Sequence, residues 1–334
     1  MSKEYILKNE FIKFNVIIDN DIDIIELENF FGNYAKFEQK SKDNDQFDLT
    51  IKITNNTNLF LGKDNYFIVD NHMAIYKDNI IYVLSNNKKE DILFIKRLLS
   101  DLINRYIEKK GGIFLHSSSI VDDSESIIFI GDKGSGKSTN MLYILEQYQL
   151  GYSANERTGI ILKDDIIRTY GNPARINIRA NTLNKNEKLI EKLWCCIEKE
   201  DYEKYKSMLL SRDCSERLIV SFRDLEERLG VKIIPFANIY AICNLIYDSN
   251  IDFYMEKVNY DTIKESLENS IINGVYPNRS ILNDVFETET INIDKLLYRN
   301  DINYYNIYHN TSYNNSENII KILKRERKNE KDIK

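Results

Sequence analysis

The sequence predicts an α/β protein in which a glycine-rich loop joins a buried strand to an amphipathic helix. Three observations predict this fold class. The apolar run IIFIG ends directly at the loop GDKGSGKST, a helix with an apolar stripe begins where the loop ends, and short β-rich runs lie on both sides of this unit. Strands that alternate with helices in this order are typical of α/β folds.

The composition is ordinary for a globular protein of 334 residues, with 43 % hydrophobic and 29 % charged residues and a net charge of −6. No basic excess indicates nucleic-acid binding, and no apolar run approaches the roughly 18 residues of a membrane span. The start, MSKEYILKNEF, lacks the apolar region of a signal peptide, and the four cysteines lack metal-ligand spacing. We therefore expect a cytoplasmic protein with reduced thiols that binds neither nucleic acid nor membrane.

Residues 1–108 are predicted to form an accessory α+β region. The runs FDLTIKIT, NYFIVD, HMAIYKD and NIIYVLS are separated by Asp, Asn and Gly, which predicts a meander of antiparallel strands. A helix over KKEDILFIKRLLSDLINRYIEKK follows, and Gly111 and Gly112 supply its C-terminal stop. The apolar stripe of this helix consists of Ile92, Ile95, Leu99, Leu102, Ile103 and Tyr106.

Residues 109–285 are predicted to form the central domain around the glycine-rich loop. The order is strand (GIFLHSSSIV), turn (DDSES), strand (SIIFIG), loop and helix (KSTNMLYILEQYQL), followed by two strands that pair around a turn at 163–165. His116 ends the run GGIFLH, which we expect beside the strand that feeds the loop. Helices are predicted near 184–210, 223–229 and 259–273, and residues 286–334 are predicted as a mostly helical C-terminal extension.

The loop at 131–138 fits the phosphate-binding pattern G-x-x-x-x-G-K-[ST], and the strand before it and the helix after it are the context that this pattern requires. Glycines let successive backbone N–H groups face phosphate oxygens, and the helix N-terminus attracts the same anion. Lys137 is predicted to reach the β- and γ-phosphates of ATP, and the Ser138 hydroxyl to bind Mg²⁺. The predicted nucleotide-binding residues are Gly131, Asp132, Lys133, Gly134, Ser135, Gly136, Lys137, Ser138 and Thr139.

Other classes of phosphate-loop protein are not indicated. The sequence has no Ser-Gly-Gly-rich ABC signature and no Asn-Lys-x-Asp segment that would read guanine. An aspartate that closes an apolar strand is also missing, since the candidate RLIVSFRD is interrupted by Ser221 and Arg223. We interpret Asp224 as the N-terminal acid of a helix.

Three segments, HSSSIV, GDKGSGKST and GYSANERTGI, occur in an order and at a spacing that resemble the catalytic domain of the HPr kinase/phosphorylase family. The resemblance covers about residues 109–245. It implies a P-loop core related to phosphoenolpyruvate carboxykinase, MgATP as phosphoryl donor and a hydroxyl acceptor, often a serine. Because relatives are often oligomeric, it also allows a homo-oligomer.

The resemblance implies roles for residues outside the loop. By motif position, Asn155 and Glu156 match an Asp-Asp pair that takes the acceptor proton and holds the metal, and His116 matches a histidine near the phosphates. Ser138, Asn155 and Glu156 are then the expected metal ligands, and Glu156, His116 and Lys137 the expected catalytic residues. Asn155 departs from the family, because an amide cannot accept a proton.

The sequence leaves three functions open. The first is a kinase that phosphorylates a serine-type hydroxyl on a peptide, protein or small metabolite. The second is a nucleotide-binding, regulatory module of a biosynthetic or assembly complex, in which Asn155 marks lost chemistry. The third is a hydrolytic ATPase. Because phosphoryl transfer depends on positioning and charge neutralisation more than on a base, the loss of one acid lowers activity without necessarily abolishing it.

Overall fold

The structure is a computed structural model. It describes residues 2–19, 22–40, 46–61, 66–69, 72–85, 89–172, 176–179, 187–194, 217–272, 293–310 and 313–333. Within these ranges the chain is a mixed α/β protein with several sheets, as predicted. The described residues form two compact units, one ending at Ile113 and the other beginning at Phe114. No helix in the described ranges is long and apolar enough to cross a membrane.

The first unit contains a seven-stranded sheet in the order β3-β1-β2-β4-β7-β6-β5. Its elements are β1 (Lys3–Lys8), β2 (Lys13–Ile18), α1 (Ile24–Phe31), β3 (Lys36–Gln39), β4 (Leu49–Thr54), β5 (Tyr66–Val69), β6 (His72–Lys77), β7 (Ile80–Leu84) and α2 (Lys89–Lys109). The predicted antiparallel meander is wrong for the centre of this sheet, where β4 pairs parallel with both β2 and β7. Because α1 and β3 lie between β2 and β4, the chain can return before it forms β4, as parallel pairing requires.

Helix α2 has the predicted apolar stripe. Five of the six stripe residues are buried and Ile92 is half-buried. Tyr106 packs edge-on against Phe14 of β2, with 5.8 Å between ring centroids. The helix ends as predicted, because Gly111 has a φ of +86° and the Gly112 N–H donates to the Ile107 carbonyl oxygen at 3.0 Å.

The second unit contains the glycine-rich loop. Its strands are β8 (Ile113–Leu115), β9 (Ser118–Asp122), β10 (Glu125–Ile130), β11 (Gly151–Asn155), β12 (Thr158–Lys163), β13 (Ile166–Gly171), β14 (Ile176–Arg179), β15 (Arg217–Val220), β16 (Phe236–Tyr247), β17 (Phe253–Val258) and β18 (Asn303–His309). Its helices are α3 (Lys137–Tyr148), α4 (Glu187–Trp194), α5 (Phe222–Leu229), α6 (Tyr260–Ser270), α7 (Ile293–Leu297) and α8 (Tyr313–Ile333).

The large sheet of this unit runs β11-β9-β10-β16-β13-β12-β8, and β18 and β17 continue from β16. Strand β16 pairs parallel with β10 on one side and with β18 on the other. The carboxyl ends of these three strands therefore lie at one edge of the sheet, where α/β proteins gather ligands. Residues 286–334, predicted as an extension, supply β18 and α8 to this unit, because β18 pairs with Ala241–Tyr247 of β16.

The strand that ends before His116 does not lie beside β10, so that prediction is wrong. Strand β8 is next to β12, and β9 is the neighbour of β10. The predicted single strand GIFLHSSSIV is interrupted because the His116 N–H donates to the Ser270 carbonyl oxygen of α6, at 2.6 Å, instead of to a sheet neighbour. The next predicted strand, GYSANERTGIIL, is also divided, since β11 ends at Asn155 and β12 begins at Thr158.

Several other predictions about the second unit are confirmed. Asp164 and Asp165 form the β12–β13 turn with φ values of +52° and +61°. The Ser221 and Asp224 side chains form a capping box at the start of α5, so Asp224 is the predicted helix acid. Of the predicted helix at 184–210, the part within the described residues is α4. Cys243 is a buried free thiol, and the other cysteines lie outside the described residues.

Arg327 of α8 anchors this helix to the β9–β10 hairpin. Its guanidinium lies 2.5 Å from the Glu125 carboxylate and 3.3 Å from the Asp122 carboxylate, over the ring of Tyr240. We expect Arg327→Ala to lower the free energy of unfolding by about 1–3 kcal/mol, because two carboxylates lose a partly buried partner. Urea denaturation measures this change.

Lys324→Ala is the matched control for Arg327→Ala. Lys324 lies on the same helix and contacts the same Asp122 carboxylate at 3.8 Å, but its side chain is half exposed. Its removal should cost less than about 1 kcal/mol. Equal losses for the two variants would contradict the anchoring role of Arg327.

Candidate functional site

The site is built around the loop that connects β10 to α3. Gly131, Gly134 and Gly136 have φ values of +132°, +95° and +91°, which turn the chain back on itself between the strand and the helix. The Asn140 N–H donates to the Gly136 carbonyl oxygen at 2.8 Å, so regular helix begins directly after the loop. The predicted phosphate-binding residues thus occupy one compact turn at the N-terminus of α3.

Gly131 is required by its neighbours as well as by its backbone angle. A Cβ atom there would lie 2.4 Å from the Leu245 carbonyl oxygen of β16 and 2.8 Å from the Ser135 hydroxyl oxygen. A backbone carbonyl in a paired strand cannot easily move away. The loop therefore lies directly against β16, and only glycine fits at its first position.

Lys137 is held over the loop. Its ammonium group donates to the carbonyl oxygens of Gly131 and Asp132, at 2.6 and 3.0 Å, and the residue is 8 % exposed. Burial lowers the pKa of Lys137, and the carboxylates of Glu156 and Asp132 oppose that shift. A desolvated cation in this position can bind a phosphate strongly, because little of its hydration remains to be lost.

Ser138 of α3 contacts Asn155 at the end of β11. The Ser138 hydroxyl donates to the Asn155 side-chain oxygen at 2.7 Å. Asn155 is fully buried, and its amide nitrogen has no hydrogen-bond partner among the described residues. Ser118, which is paired with Asn155 across β9 and β11, is equally buried, and its hydroxyl also lacks a partner within the described part of the chain. Two buried polar groups beside the loop are thus available to a ligand.

His116 and Glu156 form the next part of the site. The His116 Nδ1 atom lies 3.2 Å from the Glu156 carbonyl oxygen and 3.7 Å from its carboxylate. Both side chains are more than 40 % exposed. Glu156 has a φ of +70°, an unusual conformation for a residue other than glycine and one that occurs at functional sites. A carboxylate and an imidazole therefore face solvent together next to Asn155.

The oxygen groups suit a hard cation such as Mg²⁺. The Ser138 hydroxyl, the Asn155 side-chain carbonyl and the Glu156 carboxylate are all oxygen donors, and Mg²⁺ prefers a few of these together with phosphate oxygens and water. Among the described residues, no group of three or more His, Cys, Asp or Glu side chains could hold a metal ion. The donor set therefore fits a cation that arrives with a phosphate ligand better than one held by protein alone.

The sequence patterns missed three residues that support the loop. His309, at the end of β18, is fully buried and hydrogen-bonded to the Ser135 backbone. Asn140 donates to the loop backbone at Gly136, and Ser316 contacts Asn140 and so reaches the loop through it. For His309 a signal was present, since a histidine closes the apolar run YYNIYH just as His116 closes GGIFLH. The Asn140–Ser316 contact spans 176 positions, and no local pattern indicates it.

No family model matches the chain, and no curated protein matches it. Among solved structures, the chain is similar to the Hpr(Ser) kinase/phosphatase from Coxiella burnetii. That match has 10 % sequence identity and a TM-score of 0.32, and it covers 66 % of this chain and 98 % of the other. These values describe a weak similarity of fold.

The close approach at Gly131 generates a prediction. We expect Gly131→Ala to lower the free energy of unfolding by about 1–3 kcal/mol more than Gly134→Ala does, because the first substitution adds a clash with the Leu245 carbonyl oxygen. Gly134 is the control, because its φ is also positive, at +95°, but a Cβ atom there would meet no atom within 4 Å. Urea denaturation of both variants measures the difference, and equal losses would show that the clash is absent.

Proposed function

We propose that this protein transfers the γ-phosphoryl group of ATP to a hydroxyl group. The observation that carries the proposal is the position of the Glu156 carboxylate, which acts electrostatically on the loop lysine, Lys137, and lies 3.7 Å from the His116 Nδ1 atom, directly after the end of β11. A phosphate-binding loop alone would fit any nucleotide-binding protein. A solvent-facing acid close to its lysine is what a phosphotransferase needs in addition.

The loop and Lys137 bind the nucleotide in this proposal. The backbone N–H groups of 131–136 and the N-terminus of α3 face the phosphates, and Lys137 exchanges its two carbonyl contacts for phosphate oxygens. Ser138, Asn155 and Glu156 would hold Mg²⁺. When bound with ATP, Mg²⁺ neutralises phosphate charge that develops during transfer.

In the transfer step, the acceptor hydroxyl oxygen forms a bond to the γ-phosphorus, and the bond from that phosphorus to the β,γ-bridging oxygen breaks. ADP leaves with the bridging oxygen, and the hydroxyl proton passes to the Glu156 carboxylate. His116 orients Glu156 through its contact with the backbone of that residue. Asn155 cannot take the proton, whereas the Glu156 carboxylate next to it can.

The acceptor in this proposal is a serine-type hydroxyl on a peptide, protein or small metabolite. The net charge of −6 does not favour nucleic acid as a partner. We further propose that the protein acts in the cytoplasm, away from membranes, and that it can act as a homo-oligomer.

Lys137→Met tests the nucleotide site. We expect it to weaken MgATP binding at least about tenfold and to stop phosphoryl transfer, because the desolvated cation is removed. Titration calorimetry measures binding, and labelled ATP with serine-containing peptides and free serine measures transfer. Lys133→Met is the matched control, because Lys133 lies in the same loop but is exposed. Equal effects of the two substitutions would contradict the assigned role of Lys137.

Glu156→Gln tests the base. We expect kcat to fall by about 10²–10⁴-fold, because glutamine keeps the shape of the side chain but cannot accept a proton. Since Glu156 would also hold Mg²⁺, binding is compared for ATP without Mg²⁺, where the substitution should not weaken it. Steady-state kinetics and equilibrium binding separate the two effects. An unchanged kcat for Glu156→Gln would overturn the proposed base.

The neutral side chain of Asn155 favours a second candidate, a nucleotide-binding module without catalysis. The same assays separate the candidates, since such a module would bind MgATP tightly without turnover in the presence of any acceptor. Asn155→Asp would then be expected to add metal affinity, which binding of Mn²⁺ measures directly. A third outcome, phosphate release that needs Glu156 but no acceptor, would indicate a hydrolytic ATPase.

A further inference from the structure

Two side chains more than 160 residues further along the chain support the phosphate-binding loop, His309 directly and Ser316 through Asn140. His309 is the last residue of β18, and it is fully buried. Its ring forms a hydrogen bond with the backbone of Ser135, the fifth residue of the loop. Because strand β18 is separated from β10 by β16, this contact reaches across the carboxyl edge of the sheet.

A second link to the loop starts at helix α8, which follows β18, and runs through Asn140 of α3. The Ser316 hydroxyl donates to the Asn140 side-chain oxygen at 2.8 Å, and the Asn140 amide nitrogen donates to the Gly136 carbonyl oxygen at 3.0 Å. Asn140 is 1 % exposed and Ser316 is fully buried. Ser135 and Gly136 are consecutive, so two independent buried hydrogen bonds hold adjacent peptide units of the loop.

We propose that His309 and Ser316 are positioning residues for the phosphate-binding loop, so that β18 and α8 are part of the nucleotide site. This inference rests on the proposed function, because it assigns the role of these residues in ATP binding. The contacts described for both residues are with the loop backbone or with Asn140, which makes them positioning residues. They act by fixing the direction of the peptide groups at Ser135 and Gly136, whose N–H groups must point at phosphate oxygens.

The chemistry of His309 agrees with a positioning role. Burial lowers its pKa, and its hydrogen bond to the Ser135 backbone opposes the shift. A buried neutral imidazole adds no charge to the anion site. What it contributes is a directed hydrogen bond in a place that is closed to water, where an unsatisfied backbone group would be costly.

Three substitutions of His309 separate this hydrogen bond from packing. The amide nitrogens of asparagine and glutamine can overlay Nδ1 and Nε2 respectively, so one of His309→Asn and His309→Gln keeps a donor in place. His309→Leu removes both nitrogens. Ser316→Ala tests the second link to the loop. Arg327→Gln is the control, because it removes the ion pairs that attach α8 to the β9–β10 hairpin and leaves the contacts near the loop in place.

The first measurement is amide hydrogen exchange of residues 131–139 in the protein without nucleotide. We expect exchange there to be about tenfold faster in His309→Leu and Ser316→Ala, since each loses one buried hydrogen bond. One of His309→Asn and His309→Gln should restore the wild-type rate, and Arg327→Gln should leave the rate unchanged. Unchanged exchange in His309→Leu, or equal acceleration in all three His309 variants, would overturn the role of His309.

The second measurement is the dissociation constant for MgATP. We expect it to rise about tenfold in His309→Leu and to return toward the wild-type value in the variant that restores loop exchange. Faster loop exchange without any change in this constant would overturn the link to nucleotide binding. If the wild-type protein does not bind MgATP, the proposed function fails, while the exchange rates still decide whether His309 and Ser316 hold the loop.

Discussion

The contact between Gly131 and the Leu245 carbonyl oxygen is the constraint on which the site depends. It places the first turn of the phosphate-binding loop against the central strand β16, which pairs with β10 on one side and with β18 on the other. Because β16 is held on both sides, its carbonyl cannot yield. The loop takes its position from the sheet, and Lys137 and the backbone groups that would bind a phosphate take theirs from the loop.

Electrostatics around the loop depends on the burial of a single cation. Lys137 loses hydration, which lowers its pKa, and the carboxylates of Glu156 and Asp132 compensate in part. Asn155 stands where a second acid would add negative charge, and its neutral amide leaves Lys137 more electropositive. A site of this kind attracts a polyanion well but holds a metal ion poorly unless phosphate oxygens complete the coordination. In the proposed function, a neutral Asn155 leaves the Glu156 carboxylate next to it as the proposed proton acceptor.

The site combines segments that are distant along the chain. His116 reaches Glu156 although β8 and β11 are not neighbours in the sheet. From the C-terminal part of the chain, β18 reaches the loop directly and α8 reaches it through Asn140. These contacts all lie within the second compact unit. The loop motif is local, but the parts that orient it are not, so a fragment that ends before β18 would lack both His309 and Ser316.

Local patterns in the sequence determined the phosphate-binding loop, the helix stripe of α2, the turn at Asp164 and the capping box at Asp224, because each depends on neighbouring residues and on backbone geometry. The tertiary structure decided the parallel pairing in the first unit, the neighbours of β8, and the contacts of His309 and Ser316 with the loop. Strand order and buried hydrogen bonds between distant segments depend on which surfaces pack together. That packing free energy is summed over the whole unit and leaves no periodic signal in a short stretch of sequence.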